Sequence, residues 1–124
     1  MRRLALVKLY IAADQFGDTL LRNMVMDMLI AVAKSTGCHV AKNDIALAYD
    51  NLTESSKLRK YILCKYSGRC HLSYLERNRS FLPTEFFVDL ALFLKSSEGR
   101  RSRHLPCCAF HDHDAEVPIC VDQE

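Results

Sequence analysis

The residues best equipped for chemistry lie near the end of the chain, in the stretch LPCCAFHDHDAEVPIC. Cys108, His111, His113 and Cys120 are spaced Cys-x2-His-x-His-x6-Cys, with Cys107 beside them as a spare. Thiolate and imidazole are the donors zinc takes when four ligands surround it as a tetrahedron. In an extended segment residues two apart point the same way, so His111 and His113 can converge on one ion. Asp112 and Asp114 are placed to hold the imidazole protons, and Pro118 to turn the chain so that Cys120 returns. A zinc held here would be structural, fastening a segment too short to build its own core. The spacing is tighter than in the common finger pattern, and no second Cys-x2-Cys pair stands beside it. Two other readings use the same residues. Phe110 and the cysteines can fold back onto the rest of the chain as a packing clip without metal, or the segment is a polar terminus with chance cysteines.

Catalysis would ask more of these groups. A thiol nucleophile with a histidine base needs donors for the developing oxyanion and a wall to exclude water. The tail offers neither a Gly-rich loop nor a helix start, and no other constellation of nucleophile, base and acid occurs along the chain. The expectation is a protein that is not an enzyme.

Composition narrows the class further. The chain has 124 residues, 49% hydrophobic and 26% charged, with a net charge of +2. That allows one domain, or a piece of a larger one, with a modest core. So small a charge gives no strong field to recruit nucleic acid or an acidic membrane surface, and no apolar run is long enough to span a bilayer. The opening MRRLALVKLYIAA has the two arginines and apolar stretch of a signal peptide, but Lys8 interrupts it and the pattern continues as an amphipathic helix. Without a secretory route, the sequons at Asn51 and Asn78 carry no meaning. Cys38 and Cys64 stand singly in or beside helical segments, where a free thiol serves as a small apolar group. Together with the paired Cys107 and Cys108, this points to reduced thiols and an intracellular setting, cytoplasm or nucleus.

Residues 9–29, LYIAADQFGDTLLRNMVMDML, organise the rest. They read as the end of one helix, a corner at Gly17-Asp18, and a long second helix. Gly17 can take the positive φ that ends a helix, and Asp18 can cap the next. The first helix is expected over residues 2–16, burying Leu6, Tyr10 and Ala13. The second, over 18–35, carries Leu20, Leu21, Met24, Val25, Met28, Leu29, Val32 and Ala33 in pairs every four residues. That spacing predicts one wide buried stripe, with Met24 and Met28 as core filling and Arg22, Asn23, Asp27 and Lys34 elsewhere. Gly37 stops it.

A short helix through Ile45, Leu47, Ala48 and Tyr49 follows, capped by Asn43 or Asp44. The next is capped at Thr53 and ends at Gly68, burying Leu58, Tyr61, Ile62 and Tyr66 and turning Lys57, Arg59, Lys60 and Lys65 to solvent. A helical turn through Leu72 and Leu75 leads to a loop. Pro83 then opens a strongly apolar helix with Phe86, Phe87, Leu90, Ala91, Phe93 and Leu94 on one side, expected to be the most deeply packed. Beyond Lys95 the composition turns polar and basic, through Arg100, Arg101 and Arg103, as a linker. The fold class is all-α, a small bundle of about five helices with an irregular C-terminal tail. It divides into residues 1–36, 37–96 and 97–124.

Several stretches in order resemble the large fungal family of BTB/POZ domain proteins. LYIAADQFGDTLLRNMVMDMLI is similar to the LYVLADKYxxxxLKNxVMDxLI stretch near the end of that domain. AYDNLTESSKLRKYIL resembles the family's Y-E-N-T-x-x-S-x-L-R-R-L, LPTEFFVDLALFL its P-x-E-F-L-x-D-L-A, and CCAFHDH its closing C-x-Y/F-H-x-H. The match covers nearly the whole chain but begins at the last BTB helices. The strand-and-helix half that precedes them in the family has no counterpart, as in a truncated product or a gene model missing its first exon. The Trp that often follows the family's fourth helix is missing too. The resemblance implies a non-catalytic protein-interaction module, with residues 37–96 as a helical extension in the position of a BACK region. Partners implied are a component of a cullin-type ubiquitin ligase or a second copy. The family's dimer surface, however, lies largely in the half without a counterpart. The first two helices normally pack on that half, so part of their apolar stripe is expected to be exposed. The alternative function is a small structural zinc domain acting through Cys108, His111, His113 and Cys120.

Overall fold

The computed structural model describes residues 3–36, 40–68, 72–96 and 110. Those residues form six helices and no strand: α1 Arg3–Gln15, α2 Thr19–Thr36, α3 Lys42–Asn51, α4 Lys57–Gly68, α5 Leu72–Arg77 and α6 Thr84–Lys95. The all-α bundle expected from the periodicity is the fold.

The corner between α1 and α2 is built as its residues dictate. Gly17 sits at φ 68°. Its N–H bonds the Asp14 carbonyl at 3.1 Å, and the Asp18 N–H bonds the Ala13 carbonyl at 2.9 Å. This double closure satisfies carbonyls that the end of α1 would leave orphaned. The Asp18 carboxylate then accepts from the Leu21 N–H at 3.0 Å and caps α2. Arg22 reaches back across the corner to Asp14 and Thr19, so it faces α1 rather than solvent.

Three other helix starts differ in detail from expectation. Asp44 does not cap α3 from outside. It stands in the first turn, and its carboxylate accepts the Ala41 N–H at 2.9 Å and the Arg3 Nε at 2.7 Å, tying α1 to the start of α3. Helix α4 begins at Lys57 rather than near Thr53, because the Ser56 hydroxyl accepts the Leu58 N–H while residues 53–56 form a turn. Pro83 precedes the first turn of α6 in extended geometry. The expected helix stop at Gly37 lies outside the described residues.

Helix α3 is the hub. It packs on α1 from the α1–α2 hairpin and on both members of the α4–α6 pair. The core runs through Leu6, Val7, Tyr10, Val25, Met26, Ile45, Ala48, Leu58, Ile62 and Phe86. Phe86 lies at its centre, with Tyr49 and Tyr66 edge-on at 5.8 and 5.6 Å. The Tyr66 hydroxyl donates to the Val40 carbonyl at 2.6 Å, and the Tyr74 hydroxyl accepts the Lys42 N–H at 2.8 Å, so the approach to α3 is held from both sides.

Helix α6 is not the most deeply packed element. Phe86, Leu90 and Phe93 are buried, but Val88, Leu92 and Leu94 are exposed. Its main helical contacts, with α3 and α4, leave these three side chains uncovered, which an apolar composition cannot reveal. No helix among the described residues is long and apolar enough to cross a membrane.

Candidate functional site

The hairpin presents the feature with the clearest potential for recognition. Helix α2 is apolar on two faces, and α1 covers one of them. Val25, Met26 and Leu29 are buried there. The residues expected to fill the core, Met24 and Met28, lie on the other face, with 60% and 41% of their surface open, beside Leu20 at 61%. Phe16, at the corner, is 84% exposed. Leu20, Met24 and Met28 thus form a row four apart on α2, with Phe16 exposed at the corner before it. The correction has a physical cause. Eight apolar positions spread over the stripe are more than one neighbouring helix can cover, and the Arg22–Asp14 contact at 3.3 Å turns the Arg22 side of α2 inward. The outcome matches the expected exposure of part of the first two helices' apolar surface.

The row has the chemistry of a protein-binding surface. Methionine is unbranched and polarisable, and adapts to irregular partners. Phe and Leu add rigid apolar area. The four side chains expose on the order of 450 Å² of apolar surface, within the 300–600 Å² of a typical monomer's largest patch, which is often functional.

The chain also contains a buried polar cluster that the sequence reading missed. Arg59, expected on a basic outer surface, is 3% exposed. Its guanidinium bonds Glu85 Oε2 and Asp89 Oδ2, each at 2.7 Å, and the Leu52 carbonyl at 3.2 Å. It stacks over the Tyr49 ring at 3.9 Å, and the Tyr49 hydroxyl donates to Asp89 at 2.9 Å. Burial disfavours the charge, but the hydrogen bonds to Glu85 and Asp89 outweigh it and hold the arginine above its ordinary pKa. Burial, and then the Asp89 carboxylate, push the Tyr49 hydroxyl far above the usual phenol range. Neither group exchanges a proton near neutrality, and the cluster ties α3, α4 and α6 together. The available signal was the spacing Arg59…Glu85-x3-Asp89, in which two acids one turn apart on α6 meet a base on α4.

The four metal candidates Cys108, His111, His113 and Cys120 lie outside the described residues, as do Cys38, Cys107, Asp112, Asp114 and Pro118. Among the described residues no group of three His, Cys, Asp or Glu side chains is arranged to hold a metal ion. Phe110 is described. Its ring packs edge-on against Tyr61 of α4 at 5.3 Å and joins the margin of the core. One turn along α4, Cys64 is buried, in the small apolar role expected for it. Burial, and the nearby Cys64, push the Tyr61 hydroxyl up to about 12.

Comparison with protein-family models, curated proteins and solved structures finds no match to this chain.

Proposed function

We propose that this chain is a non-catalytic protein-interaction module that works through the α1–α2 hairpin, built like the last helices of a BTB/POZ domain with a helical extension behind them. The observation that carries the reading is the exposed row Leu20, Met24 and Met28, with Phe16 at the corner, on a hairpin whose other face gives Val25, Met26 and Leu29 to the core. A row of large apolar side chains held open by a stable scaffold costs solubility and makes sense where a partner covers it. The four stretches similar to the fungal BTB proteins support the same reading, which places the protein inside the cell, in cytoplasm or nucleus. A component of a cullin-type ubiquitin ligase is a partner of the kind the resemblance implies.

The test is a photo-crosslinking residue at position 24, compared with one at the exposed Glu54. A discrete protein adduct at position 24, and none at 54, is the expected result in cells expressing the full chain. No adduct at position 24 overturns the reading.

The second reading, a small structural zinc domain, draws on Phe110 packed against Tyr61, since a metal at Cys108, His111, His113 and Cys120 would fasten the same segment. Stoichiometric zinc in the purified chain, lost in Cys108→Ser and His111→Ala, would favour it over the first.

A further inference from the structure

We propose that the row Lys57, Tyr61 and Lys65 on α4 is a docking site for an acidic segment with an aromatic anchor, and that its occupant is the chain's own residues 111–124, anchored by Phe110. The site lies on α4 and is independent of the hairpin reading above.

Helix α4 packs mainly on α3 and α6. Arg59 shows where those neighbours lie, since it bonds Glu85 and Asp89 of α6 and stacks on Tyr49 of α3. At about 100° per residue, Tyr61 faces nearly opposite to Arg59. Lys57 and Lys65 flank Tyr61, one turn away in each direction. Yet Tyr61 is 2% exposed, and every side chain of α4 from Lys57 to Ser67 is buried or half-buried. The Phe110 ring meets this side, edge-on to Tyr61 at 5.3 Å. The Lys65 ammonium lies over the same Tyr61 ring, 5.3 Å from its centre. An aromatic anchor and a cation thus converge on one residue. Among the described residues no acid is paired with Lys57 or Lys65.

Residues 111–124 lie outside the described residues, and charge selects them as the occupant. Their five charged side chains, Asp112, Asp114, Glu116, Asp122 and Glu124, are all acidic, whereas all 17 Lys and Arg of the chain come before them. The spacing adds to the charge. Phe110, Asp112, Asp114 and Glu116 stand two apart, so in an extended segment they share one side. Two extended residues span about 6.6 Å, and one helical turn about 5.4 Å. With Phe110 seated on Tyr61, Asp112 comes level with the next lysine of the row, Lys57 or Lys65 according to the direction of the segment. Half-buried Lys60 beside the row adds to the positive field. Exposed ion pairs contribute little singly, so the anchor sets the position and the tether sets the concentration. A joined segment meets its site at an effective concentration in about the millimolar range. A partner with acids two apart behind an aromatic residue would have to displace it.

Carbodiimide crosslinking of the purified full chain, mapped by mass spectrometry, is the test, because it joins a lysine to a carboxylate only where the two touch. The expected product is a bond within one chain from Lys57 or Lys65 to Asp112, Asp114 or Glu116. Its yield falls at least about fivefold in Phe110→Ala, the loss of an aromatic anchor. It falls as far in about 1 M salt, where the Debye length is about 3 Å. Phe110→Tyr keeps the anchor, and Phe81→Ala removes a different exposed aromatic; both stay within about twofold of wild type. Helical circular dichroism separates loss of the contact from loss of the fold, and the salt series uses the wild-type chain alone. Mixing isotope-labelled and unlabelled chains tells bonds within one chain from bonds between copies. Bonds between copies, no bond at either lysine, or a yield indifferent to Phe110 or to salt each overturn the proposal.

Discussion

Arg59 joins α3, α4 and α6 through one side chain. It is buried, paired twice, stacked on Tyr49, and bonded to the carbonyl that follows α3. Its two acidic partners are not equivalent. Asp89 is largely covered and also accepts from Tyr49, whereas the Glu85 side chain is more than half exposed. Replacing Arg59 by Ala removes a buried side chain and leaves the partly covered Asp89 with Tyr49 but without its charge partner, a change that should cost about 1–3 kcal/mol. Replacing Glu85 by Gln removes one solvent-screened charge and should cost no more than about 1 kcal/mol. Urea unfolding followed by circular dichroism checks both. Equal losses would mean that Glu85 is the true anchor. Such a residue is hard to find from a sequence, because Arg59 sits among Lys57, Lys60 and Lys65 and shares their apparent surface role. What marks it is the pair of acids one turn apart on α6, and only the packing of α4 on α6 makes that pair its partner.

At the scale of elements, α2 poses the sharpest question, since a helix apolar on two sides gives no internal sign of which side its neighbour takes. The structure places Met26 fully inside and Met24 mostly outside. Met26→Ala should therefore cost about 2–5 kcal/mol through the cavity it leaves, and Met24→Ala less than about 0.5 kcal/mol in dilute solution. Similar losses at the two positions would reverse the assignment. The existence of the helices was legible because their signals are local: the Gly17-Asp18 corner, the four-residue spacing, the break at Pro83. The Ser56 cap was missed because Thr53 and Ser56 are equally good cap types, and the turn between them decides which one starts the helix. The burial of α6 was overestimated for the same reason that α2 was misjudged. Apolar content says how much surface a helix wishes to hide, and the number of neighbours says how much it can. Of the candidate site, the apolar stripe on α2 was legible in the four-residue spacing, whereas which of its residues stay exposed came only from the packing.

The molecule as a whole is joined around three tyrosines whose protons are hard to remove. Tyr49 on α3 and Tyr66 on α4 both meet Phe86 of α6, and Tyr61 on α4 meets Phe110. Burial is the first cause of the raised pKa in each, with Asp89 adding to it at Tyr49, Tyr74 at Tyr66 and Cys64 at Tyr61. In the unfolded chain a tyrosine loses its proton near pH 10, whereas Tyr61 in the fold holds it to about 12. Between those values the native state binds more protons than the unfolded state, so stability falls as pH rises. The tyrosine contribution is complete below pH about 10 and drains away through about 12 and beyond. Because the three rings bridge α3, α4, α6 and Phe110, the loss should be cooperative. The share of tyrosinate absorbance due to these three should lag behind that of the free amino acid and then rise in one step, coincident with loss of helical circular dichroism. Gradual titration of these three with the helices intact would show that their hydroxyls are open to solvent, and that the packing around Phe86 is looser than its edge-on contacts require.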